Sequence, residues 1–250
     1  MTEGQSQPPR THIIACDVLR EEIEILADEL THIEGRDYLP MGLHDSPKML
    51  LSSLQDHLAA AEKNLRVEAV VLIYGLCGNG TAGLGPKRVK LVLPRAHDCI
   101  TLYMGSAKRY AACQRAQPDT YFFTPGWMRG KRTPGPERAE QLRMEYSERF
   151  DDPDDIDYLI EADNEVWARH GHAAYIDLGL PNRNDYPETA RDCARWLGWE
   201  FASLKGDPTL LNDTLAGNWD TSRHLIVHPG ESVQPAHDDS ILCAKACVRQ

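Results

Sequence analysis

The sequence predicts a mostly parallel α/β architecture, and three features carry that expectation. Apolar runs of strand length recur at residues 11–16, 67–74 and 89–93, as fully buried strands require. Between them lie segments whose apolar residues fall at helical spacing. The two patterns alternate along nearly the whole chain, the order of βαβ units with right-handed crossovers. The expected product is one or more parallel sheets flanked by helices, Rossmann-like, over residues 11–233. It would form one domain or two packed lobes at about 11–125 and 137–233. Residues 1–10 read as a disordered arm and 234–250 as an irregular tail.

Each element has its own justification. Residues 11–16 form a buried strand, and 17–30 carry a helical pattern with Asp17 as N-cap. A second strand falls at 37–43. Ser46 and Pro47 then open a helix to about residue 64 with Met49, Leu50, Leu54, Leu58 and Ala61 on one face. Residues 67–74 are the clearest core strand, 89–93 a further strand, 100–113 a helix and 120–124 another strand. The Gly, Pro and Arg content of 125–136 makes it a loop, long enough to act as a lid. Helices follow at 137–150 and from 151 to about 170, the second with an acidic entry. Strand patterns resume at 173–178, 199–204 and 225–228, with a helix at 186–197.

Composition excludes several classes. A net charge of −11 over 250 residues, with basic residues scattered, offers no footprint for a phosphate backbone. No run reaches the roughly 20 apolar residues that span a bilayer, and the polar start lacks a secretory apolar segment. The expected compartment is the cytoplasm, and the expected ligand a small molecule rather than nucleic acid or membrane. Seven cysteines in such a chain fit metal binding or catalysis better than a disulfide framework.

Three of those cysteines share one kind of place. Cys16, Cys77 and Cys99 each follow a buried-strand pattern, and ligands of open α/β sheets bind outside the carboxyl ends of the strands. Cys77 sits in the glycine-rich turn Tyr74-Gly75-Leu76-Cys77-Gly78-Asn79-Gly80. There Gly75, Gly78 and Gly80 could let backbone approach a ligand closely and turn amides toward an anion. The plainer interpretation is a tight strand exit with an incidental thiol. The string Gly78-x-Gly80-x-x-Gly83 also meets a dinucleotide fingerprint, but the next strand starts too soon for the helix that motif needs.

His97-Asp98-Cys99 is the second cluster. Imidazole and thiolate are zinc ligands, Asp98 could orient His97, and Cys99 at a helix N-terminus would have its thiol pKa lowered. Alternatively Asp98 caps the helix and His97 is merely solvated. Three thiolates with one open position suit catalytic zinc, with a [4Fe–4S] cluster as the alternative; His97 and His44 as nitrogen donors favour zinc. Cys113 and Cys193 lie in helical patterns as core fillers. Cys243 and Cys247 would share a helical face, a spacing more often incidental than functional. Trp127, Arg129, Lys131 and Arg132 could close over an anionic or methylated ligand, and 218–223 could form a second pocket wall.

With residues 14–16, 74–80 and 97–100 in view, the chain resembles the DUF1638 family of uncharacterised proteins, over roughly residues 11–233. The resemblance implies an association with corrinoid proteins and pterin-dependent methyltransferases, and so a role in one-carbon transfer from methylated amines. Cys16, Cys77, His97 and Cys99 are the positions that match. Asp-x-His-x-x-Gly, the cobalamin-binding signature, is absent, so a corrinoid or pterin would come through partners.

The leading expectation is a zinc-thiolate enzyme of methyl-group metabolism. Cys16, Cys77 and Cys99 hold the metal, His97 serves as fourth ligand or acid–base group, and Asp98 orients it. Its rivals are a metal-free enzyme with cysteine acid–base pairs, racemase-like in architecture, and an accessory protein that delivers a metal, corrinoid or pterin.

Overall fold

A computed structural model describes residues 7–130, 133–181 and 185–247. The chain forms two compact units, Met1–Tyr110 with Asp207–Gln250 and Ala111–Gly206. In chain order, β1 (Thr11–Cys16) leads through a short 3₁₀ turn to α1 (Arg20–Leu26), β2 (Ile33–Leu39), α2 (Pro47–Ala61), β3 (Ala69–Ile73) and β4 (Lys90–Pro94). Next come α3 (Cys99–Met104), α4 (Ala107–Ala116), β5 (Thr120–Phe123), α5 (Pro125–Arg129), α6 (Pro136–Ser147) and α7 (Pro153–Trp167). The second unit ends with β6 (His172–Asp177), α8 (Tyr186–Leu197) and β7 (Glu200–Lys205). The chain then re-enters the first unit as α9 (Thr209–Ala216), β8 (His224–Val227), β9 (Glu231–Pro235) and β10 (Leu242–Ala246).

The first unit is built on a sheet of order β2-β1-β3-β4-β8. Its first four strands are parallel, and β8 runs antiparallel to β4. Because β1 pairs with β2 on one side and β3 on the other, the winding direction reverses between β1 and β3. Such a reversal opens a crevice at the carboxyl ends of the two strands, where α/β sheets bind ligands. The central strand β3 is apolar and buried at every position, as a strand covered on both faces requires, whereas the edge strand β2 is largely polar and only partly buried. On one face Leu50, Leu54, Leu58 and Ala61 of α2 pack against Ile14, Val70, Leu72 and Leu91. Each fully buried leucine contributes roughly 2 kcal/mol. Met49, read as part of that apolar face, is 62% exposed. The i, i+4 series that α2 buries runs through Leu50 and leaves Met49 to one side.

The second unit has a parallel sheet, β5-β6-β7. Ala190, Cys193 and Ala194 of α8 pack there with Phe123, Tyr175 and Trp199, so Cys193 is a core residue. Leu142 of α6 meets Ile156 and Ile160 of α7.

Several expectations need correction. The helix read at 100–113 is two helices, because Gly105 adopts φ 76° and ends α3. Asp17 does not cap; Cys16 takes the N-cap position of the 3₁₀ turn, and Asp17 pairs with Arg20. Part of 125–136 is helical, with the Thr124 hydroxyl accepting from the Trp127 amide at the N-cap of α5. The tail read as irregular contributes β10, paired with β9. Two lobes divided at about 125–137 also miss the return of the chain from Asp207 to the first unit. Of the arm, residues 1–6 lie outside the described residues, while the Arg10 amide donates to Glu68 and its guanidinium pairs with Glu34.

Candidate site at the switch point of the first sheet

Cys16 is the last residue of β1 and therefore stands at the crevice. Tyr74 and Gly75 follow β3 directly, and the turn beyond them is fastened to the loop after β4. Leu76 N donates to Ala96 O and Cys77 N to His97 O, each at 2.9 Å. Gly75 makes this possible: a Cβ there would stand 2.6 Å from Asp98 N and 2.7 Å from His97 C, both rigid backbone. Two loops are thus held in van der Waals contact, bringing the Cys77 turn beside Cys99. Cys77, Gly78 and Asn79 are three successive residues at φ 47°, 61° and 70°. Left-handed conformations outside glycine are costly and concentrate at ligand sites.

The predicted glycine roles separate. Gly75 approaches protein backbone, and Gly80 leaves room for the Leu50 side chain; only Gly78 has open space where a Cβ would stand. Residues 77–89 contain turns and bends without a helix, so the dinucleotide string lacks its structural context.

Cys16, Cys77, Asp98 and Cys99 lie near enough to influence one another's ionisation. Burial pushes the Cys77 thiol up to about 12, with Cys16 and Asp98 adding repulsion. Cys99 is raised well above the usual thiol range, first by burial, then by Asp98, Cys16 and Cys77. This reverses the sequence expectation for Cys99. It does open α3, but that helix is only six residues long and its N-cap is the carboxyl of Asp98. All three cysteines retain partial solvent exposure while burial dominates the ionisation of Cys77 and Cys99.

Two tyrosines complete the site, and neither was singled out from the sequence. Tyr74 is 3% exposed, and burial, then Cys16, Cys77 and Cys99, raise its pKa. Its hydroxyl is buried and faces the Cys16 sulfur, which acts on it both by charge and through a side-chain hydrogen bond. The other, Tyr110, donates its hydroxyl to Asp98 Oδ2 at 3.1 Å, while Asp98 Oδ1 accepts from Thr101 N at 3.3 Å. Burial outweighs these bonds and leaves the Asp98 carboxyl above its ordinary pKa. An aromatic residue at the last position before a strand-exit glycine was the available sequence signal for Tyr74. Tyr110 carried none, because the break at Gly105 decides where α4 points.

The remaining candidates do not join the thiols. The His97 side chain is exposed, and its carbonyl is what binds the Cys77 turn. His44 lies on a 3₁₀ turn after β2, 45% exposed and 3.5 Å from Asp45. Among the described residues, no three or more His, Cys, Asp and Glu side chains stand close enough together to hold a metal ion as placed. Cys243 and Cys247 lie along an extended segment, so four residues separate them by about 13 Å and the helical pairing is lost. Trp127 and Arg129 belong to α5 of the second unit, and Lys131 and Arg132 lie outside the described residues. Within 218–223, Trp219 Nε1 donates to Thr214 O and Asp220 accepts from Ser222, which are local structural bonds.

A family model described as "Protein of unknown function (DUF1638)" matches residues 38–215. It takes in Cys77, His97, Asp98 and Cys99 and leaves Cys16 outside. No curated protein and no solved structure matches the chain. With nearly three-quarters of its length covered by that model, the chain belongs to the DUF1638 family of proteins of unknown function.

Proposed function

We propose that the recess binds a soft metal ion, zinc in the first instance, between Cys16, Cys77 and Cys99. The protein would be a metal-dependent enzyme of one-carbon or methyl-group metabolism. What supports this is that Cys16, Cys77 and Cys99 follow β1, β3 and β4 at their carboxyl ends and that Cys16 and Cys77 both influence the ionisation of Cys99. Burial raises Cys77 and Cys99 first; the charged neighbours that raise them further are Cys16 and Asp98 for both and Cys77 for Cys99, all anionic when ionised. A soft cation supplies the counter-charge this donor set lacks, and three thiolates with an open position suit borderline ions.

The donor chemistry of three thiols suits such an ion. The spacing of the side chains requires the thiols to change rotamer around it. His97 would have to swing inward to serve as fourth ligand. Asp98, already committed to the α3 cap and Tyr110, would position rather than ligate. A bound ion of this kind lowers the pKa of a nucleophile placed on it.

Methylated amines as substrate class, and corrinoid or pterin methyltransferases as partners, come from the family resemblance in residues 74–80 and 97–100. Seven free cysteines suit a reducing compartment such as the cytoplasm. A metal-free acid–base reading is less well supported, because a working base must ionise near neutral pH and Cys77 is pushed up to about 12.

The test is elemental analysis with a visible spectrum on anaerobically purified protein, wild type beside Cys77→Ala and Cys16→Ser. About one zinc per chain, lost in both variants while the fold survives, is the expected result. Iron with a broad visible band would mean a cluster, and full metal retention in the variants would remove these thiols as ligands.

A further inference from the structure

The glycine-rich turn after β3 carries two backbone donors without an acceptor among the described residues. Cys77 N donates to His97 O, and Gly80 N closes the turn onto Cys77 O at 3.0 Å. Between them the amides of Gly78 and Asn79 have no hydrogen-bond partner among the described residues, and both residues are exposed. Their φ angles of 61° and 70° follow one of 47° at Cys77. Successive residues of one helical hand align their N–H bonds along the turn, as at the start of any helix, so the two free amides lie on the same end as that of Cys77. Adjacent amides held this way form a concavity for an anion.

A left-handed cysteine is costly, and the surrounding chain enforces it. Beyond the Cys77 amide bond, the Thr81 hydroxyl donates to Gly75 O at 3.3 Å and Gly83 N to Val233 O at 2.8 Å. The two donors are thereby fixed before any ligand arrives, which lowers the ordering cost of binding. A Cβ at Gly78 would meet nothing within 4 Å, so a ligand oxygen has room against the turn. Nor is the surrounding charge prohibitive. Burial pushes the Cys77 thiol up to about 12, so it is uncharged at neutral pH. The two Asp98 oxygens are engaged by Thr101 N and the Tyr110 hydroxyl. The turn also leaves the carboxyl end of β3, one side of the winding reversal where α/β sheets bind ligands.

We propose that the amides of Gly78 and Asn79 form an anion-binding site that takes the terminal oxygens of a small-molecule ligand, a phosphate or a carboxylate group. Recognition rests on the left-handed turn and its backbone donors, and the side chain at position 79 is dispensable. The site uses no thiol, so it stands independently of the soft-metal reading.

The experiment follows the amide proton and nitrogen signals of Gly78 and Asn79 while metal-free full-length protein is titrated with inorganic phosphate, and separately with acetate, at constant ionic strength. Both amide protons should move downfield along one saturable curve. Saturation by phosphate alone would assign a phosphoryl ligand and saturation by acetate alone a carboxylate ligand, and either upholds the site. Asn79→Gly keeps both amides and the left-handed backbone, and should bind as wild type does. Asn79→Asp tolerates the same backbone but sets a negative charge beside the anion, and should weaken binding roughly 10-fold or more. Amides that stay in place, or drift without saturating, in both titrations would overturn the proposal. Equal binding by wild type and Asn79→Asp, or loss of binding in Asn79→Gly, would overturn it as well. Because the protein is metal-free throughout, failure here leaves the soft-metal reading standing.

Discussion

Replacing Gly75 with alanine tests how the site is assembled. The added methyl would stand 2.6 Å from Asp98 N, 2.7 Å from His97 C and 2.8 Å from Asp98 Cα. Ordinary contact begins near 3.4 Å, so the two loops must separate by about 0.8 Å, and backbone cannot evade the methyl by changing rotamer. Overpacking of this kind costs about 1–3 kcal/mol. The separation also strains Leu76 N to Ala96 O and Cys77 N to His97 O, each worth about 1 kcal/mol. Against this, alanine lowers the entropy of the unfolded chain, returning roughly 0.4–1 kcal/mol. A net loss of about 3 kcal/mol is expected in the first unit. Urea unfolding, with hydrogen exchange over residues 69–80 reporting that unit separately, measures it. The Cys77 thiol should also react faster with an aromatic disulfide as the turn loosens. A variant within about 0.5 kcal/mol of wild type, with unchanged thiol reactivity, would refute the close-contact account of the recess.

Three other outcomes follow from the same structure. Glu62 Oε1 accepts from the amides of Lys87, Arg88 and Val89 at 2.9, 2.6 and 3.1 Å, so Glu62→Ala should cost about 3 kcal/mol by chemical denaturation. Buried His224 has its pKa lowered below the ordinary 6.5, chiefly by burial, so the unfolded chain binds a proton more tightly than the folded one. Stability should therefore be complete above pH 6.5 and fall as pH drops from there toward the folded-state pKa; His224→Gln should flatten that part of the melting-temperature profile. At the break in the helical segment, Gly105→Ala meets both φ 76° and Asp207 O at 2.8 Å, and should lose about 2 kcal/mol or more in thermal melts.

Strand and helix identities were legible in the chain because burial writes them as local patterns. The strand patterns at 11–16, 67–74 and 89–93, short and mostly apolar, locate β1, β3 and β4 to within a residue or two. The leucine series of α2 follows one helical face for the same reason. Cysteines at strand ends, and hence a candidate crevice, could be read from that pattern too, as could the lack of a helix after Gly83. What the order of strands would be could not: β2-β1-β3-β4 is set by which crossovers pack, and only that order puts Cys16 and Cys77 on either side of the winding reversal.

Ionisation was likewise a tertiary outcome. From the sequence, Cys99 at a helix start should have been acidified. Enclosure of three thiols and Asp98 in one recess instead makes desolvation and mutual repulsion dominate. The chain by itself determined which segments are buried and which side chains are available for chemistry, because hydrophobic periodicity is a local code. Which of those side chains meet, and with what charge, was decided only when segments distant in sequence were packed together. Those quantities depend on distance and on exclusion of water, and no local pattern encodes either.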